Sequence, residues 1–145
     1  MDFLYLTLLF LHFIGLAMGV GTGFANLALG MTMKDLPPEE RVKVALRNLV
    51  LSRNGSIGLL LLLLTGIGMT LSRGLSSTFA WGGPAFHAKL TLVVLMIGTL
   101  GYMQMLIARV KRENGGPAMA KLPVIGRVMF GLGIATVLAA VIAFK

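Results

Sequence analysis

Residues 3–29 read FLYLTLLFLHFIGLAMGVGTGFANLAL, a run with no carboxylate, lysine or arginine in it. A hydrocarbon core of ~30 Å takes roughly 20 residues of helix to cross, and an apolar run of this length reads as a spanning helix rather than a soluble core element. One side chain in the run, His12, titrates near neutrality. Steps of three or four stay on one helical face, and the face that carries His12 continues through Gly15, Gly19, Gly23 and Asn26. That face is a ring nitrogen above three missing side chains.

Working outward, three further stretches have the same character, so the spans run over about 3–29, 55–72, 84–108 and 124–144. Of the 145 residues, 57% are hydrophobic and 12% charged, and the mean hydropathy is +0.89. The fold class expected is an all-α integral membrane protein, a four-transmembrane-helix bundle forming one domain over residues 1–145. Asp2 stands where a secretion signal carries basic residues and no small-residue cleavage site closes the first run, so that run is expected to stay in the mature protein. Cysteine is absent, which excludes disulfides, thiolate metal sites and iron–sulfur clusters.

A net charge of +8 suggests nucleic acid in a soluble chain, but here the placement of the cations decides. Lys34, Arg41, Lys43, Arg47 and Arg53 lie between the first two spans, and Arg109, Lys111, Arg112, Lys121 and Arg127 lie between the last two. Only Arg73, Lys89 and Lys145 fall on the other side. The positive-inside rule makes the two basic connections cytoplasmic and both termini external, an N-out/C-out topology. Anionic lipid headgroups account for the basic sides, and nucleic acid is not a partner.

Along the chain, Pro38 with Glu39 and Glu40 reads as a helix start. The basic segment 39–51 then either lies on the membrane surface or feeds directly into helix two. Gly55, Gly58, Gly66 and Gly68 mark the packing side of helix two, whose polar residues are Asn54, Ser56, Thr65 and Thr70, and hydroxyls there can bond across helices or back to their own backbone. Residues 72–86 are expected to form an outer loop with Trp81 at headgroup level, and residues 109–123 an exposed loop. Helix four is expected to begin near Pro123 and to end at Lys145, which snorkels outward.

Ionisable residues inside spans are costly and mark function. Here they are His12, His87 and Lys89, with no acidic residue in any span, which argues against carboxylate proton relays and paired-carboxylate or triad hydrolases. Two imidazoles on different helices suit a b-type haem. Gly15, Gly19 and Gly23 on one wall and Gly98 and Gly101 on the other leave room for a flat porphyrin, with Lys89 and Arg73 placed for its propionates. The bland readings stand beside this one: regularly spaced glycines are the ordinary helix-packing signal, His12 can hydrogen-bond across helices, and His87 can sit solvated at the interface. His12 lies roughly 14 Å into its helix and His87 about 5 to 10 Å into the third, so a shared iron needs tilt, and one histidine with a weaker ligand is the other option. The ten methionines permit a copper-handling reading, but their scatter fits core filling.

An early Leu11-His12 before a glycine-rich helix, His87-Ala88-Lys89-Leu90 opening the third helix, Leu122-Pro123 before the last, and a closing Phe144-Lys145 together resemble the HemJ-type membrane protoporphyrinogen oxidases and the related copper-resistance D membrane proteins. The resemblance covers all four helices in order. It implies a multi-pass protein of the bacterial inner membrane, with haem b on His12 and His87 and Lys89 as the catalytic cation. It also implies oxidation of protoporphyrinogen IX to protoporphyrin IX, with electrons passing to a quinone. The chain departs from the family pattern in its plain 23–29 stretch and at Lys121-Leu122, where an acidic residue is usual. The rival classes are a non-enzymatic subunit or assembly factor, packed as a homo-oligomer or in a larger membrane complex, and a copper-handling protein.

Overall fold

A computed structural model describes residues 2–143, apart from the side-chain surroundings of Thr78, Trp81 and Gly82. The expected belt position of Trp81 and the snorkelling of Lys145 lie outside the described residues. Helix α1 (Phe3–Thr32) is followed by a 3-10 turn (Met33–Asp35) and α2 (Pro38–Arg73). Helix α3 (Leu75–Glu113), a 3-10 turn (Pro117–Lys121) and α4 (Leu122–Ala143) complete the chain. All four helices are long and apolar enough to cross a membrane. Large apolar side chains such as Phe3, Phe13, Val94 and Leu138 point outward, as they do where lipid takes the place of water.

Helix α1 packs along α2 and α3 packs along α4. Contacts between α1 and α4 close one side of the bundle, while α2 and α3 touch only sparsely on the other. Helices α1 and α3 lie diagonally, without substantial contact.

Helix α2 settles the status of the basic segment. It runs unbroken for 36 residues from Pro38 at its first turn, about 54 Å at ~1.5 Å per residue, so residues 39–51 continue the second span. In its first turn, Arg41 donates from Nε to Leu36 O (2.6 Å) and from Nη2 to Lys34 O (2.5 Å), tying the helix to the turn that precedes it.

Two expected loops are helical instead. In the outer segment 72–86, Gly74 (φ 85°) reverses the chain and α3 starts at once; its only non-helical residue is Gly83 (φ 52°, ψ −158°), placed before Pro84. Glycine relieves the chain of a Cβ at that conformation, and proline forbids the preceding residue the α region. The helix therefore breaks there and resumes. In the segment 109–123, α3 continues to Glu113 and ends on left-handed Asn114, with Gly115 N–H donating to Val110 O at 2.9 Å, a helix-stop geometry. The 3-10 turn then folds Ala118 onto Leu106 and the fully buried Val110, with Leu46, Leu49 and Ile125 around them. Val110, Gly115 and Ala118 are buried there, while Lys111, Arg112, Glu113 and Lys121 around them stay exposed.

Candidate functional site: an oriented intramembrane histidine

The α1–α2 contact is written in glycines. A Cβ on Gly15 would lie 2.9 Å from Gly58 O, and one on Gly58 would lie 2.9 Å from both Gly15 O and Gly19 N. Gly55 faces Thr22, Gly66 faces His12 and Gly68 faces Leu8, so the pairing runs antiparallel in steady register. Close backbone approach through small residues is the usual means of association in lipid.

That register delivers His12 to Thr65. The imidazole lies over Gly66, where a Cβ would come within 3.5 Å of Cε1, and Nδ1 is 2.8 Å from Thr65 Oγ1. Thr65 is buried, and its hydroxyl donates its one proton back to the carbonyls of its own helix, at 2.6 Å to Leu61 O and 3.3 Å to Leu62 O. Its oxygen can then only accept from the ring. Nδ1 therefore carries the imidazole proton and Nε2 the lone pair. Ligating histidines are commonly held in this way, by a hydrogen bond from the nitrogen that does not bind. Lys89 is half-buried on α3.

The other expected site residues go elsewhere. Gly15 is closed by α2, and the hollow at Gly23 is filled by the Phe130 ring from α4, which also meets Phe24 edge-on at 4.9 Å. Gly19 lends its backbone to the Gly58 contact. Gly98 and Gly101 have nothing within 4 Å of a built Cβ. His87 is exposed, with Phe79 at 5.7 Å and Phe86 at 6.4 Å between ring centroids. Arg73 sits over the Tyr5 ring at 4.5 Å, a cation–π contact where α1 begins and α2 ends.

The structure thus joins His12 to Thr65, with His87 exposed and Arg73 over Tyr5. On the glycine face of α1, Gly15 and Gly23 are packed against Gly58 and Phe130, while a Cβ on Gly19 has nothing within 4 Å. Among the described residues no three His, Asp or Glu side chains gather as a metal site. Two of the methionines pack between helices: Met18 meets Gly58, and Met96 Sδ accepts from Thr136 Oγ1 at 3.5 Å. A polar contact not anticipated from the sequence is Gln104 Nε2 donating to Ser56 Oγ at 2.7 Å. Its signal was there to read, since Gln104 is the lone side-chain amide in its span.

No protein-family model, no curated protein and no solved structure matches the chain. The likeness drawn at Leu11-His12, at the run 87–90, at Leu122-Pro123 and at Phe144-Lys145 rests on those short motifs alone.

Proposed function

We propose that this chain is a multi-pass protein of the bacterial inner membrane that carries a redox metal centre on His12, with b-type haem as the first candidate. The observation that carries this reading is the His12–Thr65 bond, which presents Nε2 as an oriented donor within a membrane-spanning helix. The fit is to a single imidazole ligand. The closed faces of Gly15 and Gly23 and the exposure of His87 do not fit a porphyrin held between two histidines. A bound iron would supply one-electron chemistry. Thr65 would fix the ring, and Lys89 would meet a carboxylate of the porphyrin, whether haem propionate or porphyrinogen substrate. Electron transfer to a quinone belongs to the same reading. Both termini face outward in it, because the two basic connections share one side.

The test is an absorption spectrum of chain purified from haem-replete cells. The reading expects a Soret band that is lost in His12→Ala and retained in His87→Ala. A colourless protein overturns it. Topology is checked separately by thiol labelling, which the absence of native cysteine makes clean: Ser76→Cys should label from outside and Lys34→Cys should not.

The second reading, a subunit of a larger assembly, is favoured by one observation. Gly98 and Gly101 on α3 and Gly126 and Gly131 on α4 have no protein near them, and such positions admit a neighbouring helix. It predicts a colourless protein that cross-links through α3 or α4.

A further inference from the structure

Where α2 and α3 diverge, a cleft of about 300 Å³ opens between them. Its chemistry is ordered by depth. Helix α2 runs away from the basic end of the bundle and α3 runs back toward it, so the successive lining residues can be ranked at ~1.5 Å per residue. Lys111 and Leu49 lie nearest the basic end, Arg53 and Ile107 follow, Ser56 and Gln104 come next, and Ile57 and Leu60 lie deeper. Arg53 immediately precedes the apolar run of α2 and Lys111 closely follows that of α3. Counted from the Ser56–Gln104 contact, Arg53 stands about 4.5 Å and Lys111 about 10.5 Å toward the basic end, so both cations precede the amide, with Lys111 the outer of the two.

No carboxylate lines this cleft. Arg41, by contrast, is engaged with backbone carbonyls. Among the described residues, Arg53 and Lys111 have no hydrogen bond or ion pair within the chain. Midway down, the Gln104 amide donates one proton to Ser56 and has a second to give, while Ser56 Oγ donates to Ser52 O at 2.9 Å. The order is two cations, then an amide donor, then hydrocarbon. That order matches an anionic glycerophospholipid read from phosphate through ester carbonyl to acyl chain.

We propose that the α2–α3 cleft is a binding site for one anionic phospholipid, its phosphate between Arg53 and Lys111, an ester carbonyl toward Gln104 and an acyl chain along Ile57 and Leu60. The site stands whatever His12 binds. A membrane-surface cation contributes ~1 kcal/mol toward an acidic lipid, so two of them correspond to a preference of about thirtyfold. A free phosphate satisfies the mouth of the cleft alone, whereas a lipid also uses its depth.

The test compares retention of phosphatidylglycerol and phosphatidylcholine with identical acyl chains, measured by native mass spectrometry on the full chain in mild detergent. The expected result is one tightly held phosphatidylglycerol at roughly thirtyfold preference. That preference should collapse to about twofold or less in R53Q/K111Q and persist in R41Q/K43Q. Equal retention of the two lipids, or a preference unchanged in R53Q/K111Q, overturns the proposal. Displacement of the lipid by inorganic phosphate at equal concentration assigns the site to free phosphate and overturns it too. Photo-crosslinking of the unmodified chain with a phosphatidylglycerol that carries a diazirine on its acyl chain decides the matter should R53Q/K111Q not fold. Adducts within residues 52–60 and 104–111 support the site, and adducts confined elsewhere refute it.

Discussion

His12 on α1 donates from Nδ1 to Thr65 Oγ1 on α2 across 2.8 Å, and Thr65 can accept because it gives its own proton to Leu61 O. One hydroxyl thereby fixes the tautomer of the buried-side imidazole and pins one helix to another. The bond tests both roles. Thr65→Val keeps the shape and removes the acceptor, leaving an unpaired N–H within the bundle. Hydrogen bonds between membrane helices average ~0.6 kcal/mol, and an orphaned donor costs about 1–3 kcal/mol, so a loss of about 1 kcal/mol is expected. Thr65→Ser should retain most of it. Reversible unfolding in mixed micelles reads the difference, and an unchanged midpoint for Thr65→Val shows that the bond contributes nothing.

The glycines of α1 and α2 should separate from those of α3. In Gly58→Ala the new methyl meets Gly15 O, Gly19 N and Met18 Cβ, each at 2.9 Å. Two of those atoms are backbone and cannot move aside without parting the helices. Overpacking of this kind costs about 1–3 kcal/mol. Gly98→Ala and Gly101→Ala meet nothing within 4 Å and should gain up to about 0.5–1 kcal/mol from helix propensity. Thermal unfolding of the three variants in one detergent checks the sign. Destabilisation by Gly98→Ala of the same size as by Gly58→Ala refutes the assignment and points to a partner on α3.

Hydropathy finds lipid-crossing stretches, so the four spans were legible from the chain alone, while the helices themselves run longer. Helix α2 begins at Pro38 although its apolar run begins at Gly55. The extra turns are held by Leu46 and Leu49 against Val110 and Ala118, a long-range contact that no local window contains. The packing side of α2 was readable from its glycines. Whether Gly15 and Gly23 enclosed a ligand or a neighbour was not, because the answer lies in Gly58 and Phe130, on two other helices. Thr65 was visible as a hydroxyl in a span, but its pairing with His12 depends on the α1–α2 register, which is a property of both helices together.

Phe130 and Gly23 should be coupled. A methyl at residue 23 overlaps the Phe130 ring, so Gly23→Ala alone is expected to lose about 1–3 kcal/mol. In Phe130→Leu the smaller side chain makes room, and Gly23→Ala should then cost less. A double-mutant cycle on unfolding free energy should give an interaction of at least ~0.5 kcal/mol. Strict additivity means that the ring leaves its place when residue 23 grows.

The break in α3 depends on Gly83. At φ 52° and ψ −158° it occupies a region essentially closed to other residues, where occupancy costs about 1–3 kcal/mol. Gly83→Ala is therefore expected to lower stability by that order, even though a Cβ there meets no atom within 4 Å. Gly98→Ala, equally uncrowded, serves as the control on the same helix. Unfolding free energies that fall equally in the two variants would show that the backbone conformation at Gly83 is not the cause.

Val110 and Val94 offer the sharpest comparison, being the same residue on the same helix in opposite surroundings. Val110 is 0% exposed at the centre of the cluster that joins α2, α3 and the 3-10 turn before α4, whereas Val94 is 67% exposed on the lipid-facing side. In lipid an exposed valine has apolar neighbours in every state of the bundle, so Val94→Ala should change stability by less than about 0.5 kcal/mol. Val110→Ala removes close-packed contacts and leaves a cavity that lipid tails do not reach, an effect of roughly 1.5–3 kcal/mol. Because this cluster is the firmest tie between α2 and the α3–α4 pair, its loss should also increase protease cutting after Lys111, Arg112 and Lys121. A Val110→Ala protein with wild-type stability and cutting would mean that the pairs α1–α2 and α3–α4 are held together by the α1–α4 contact alone.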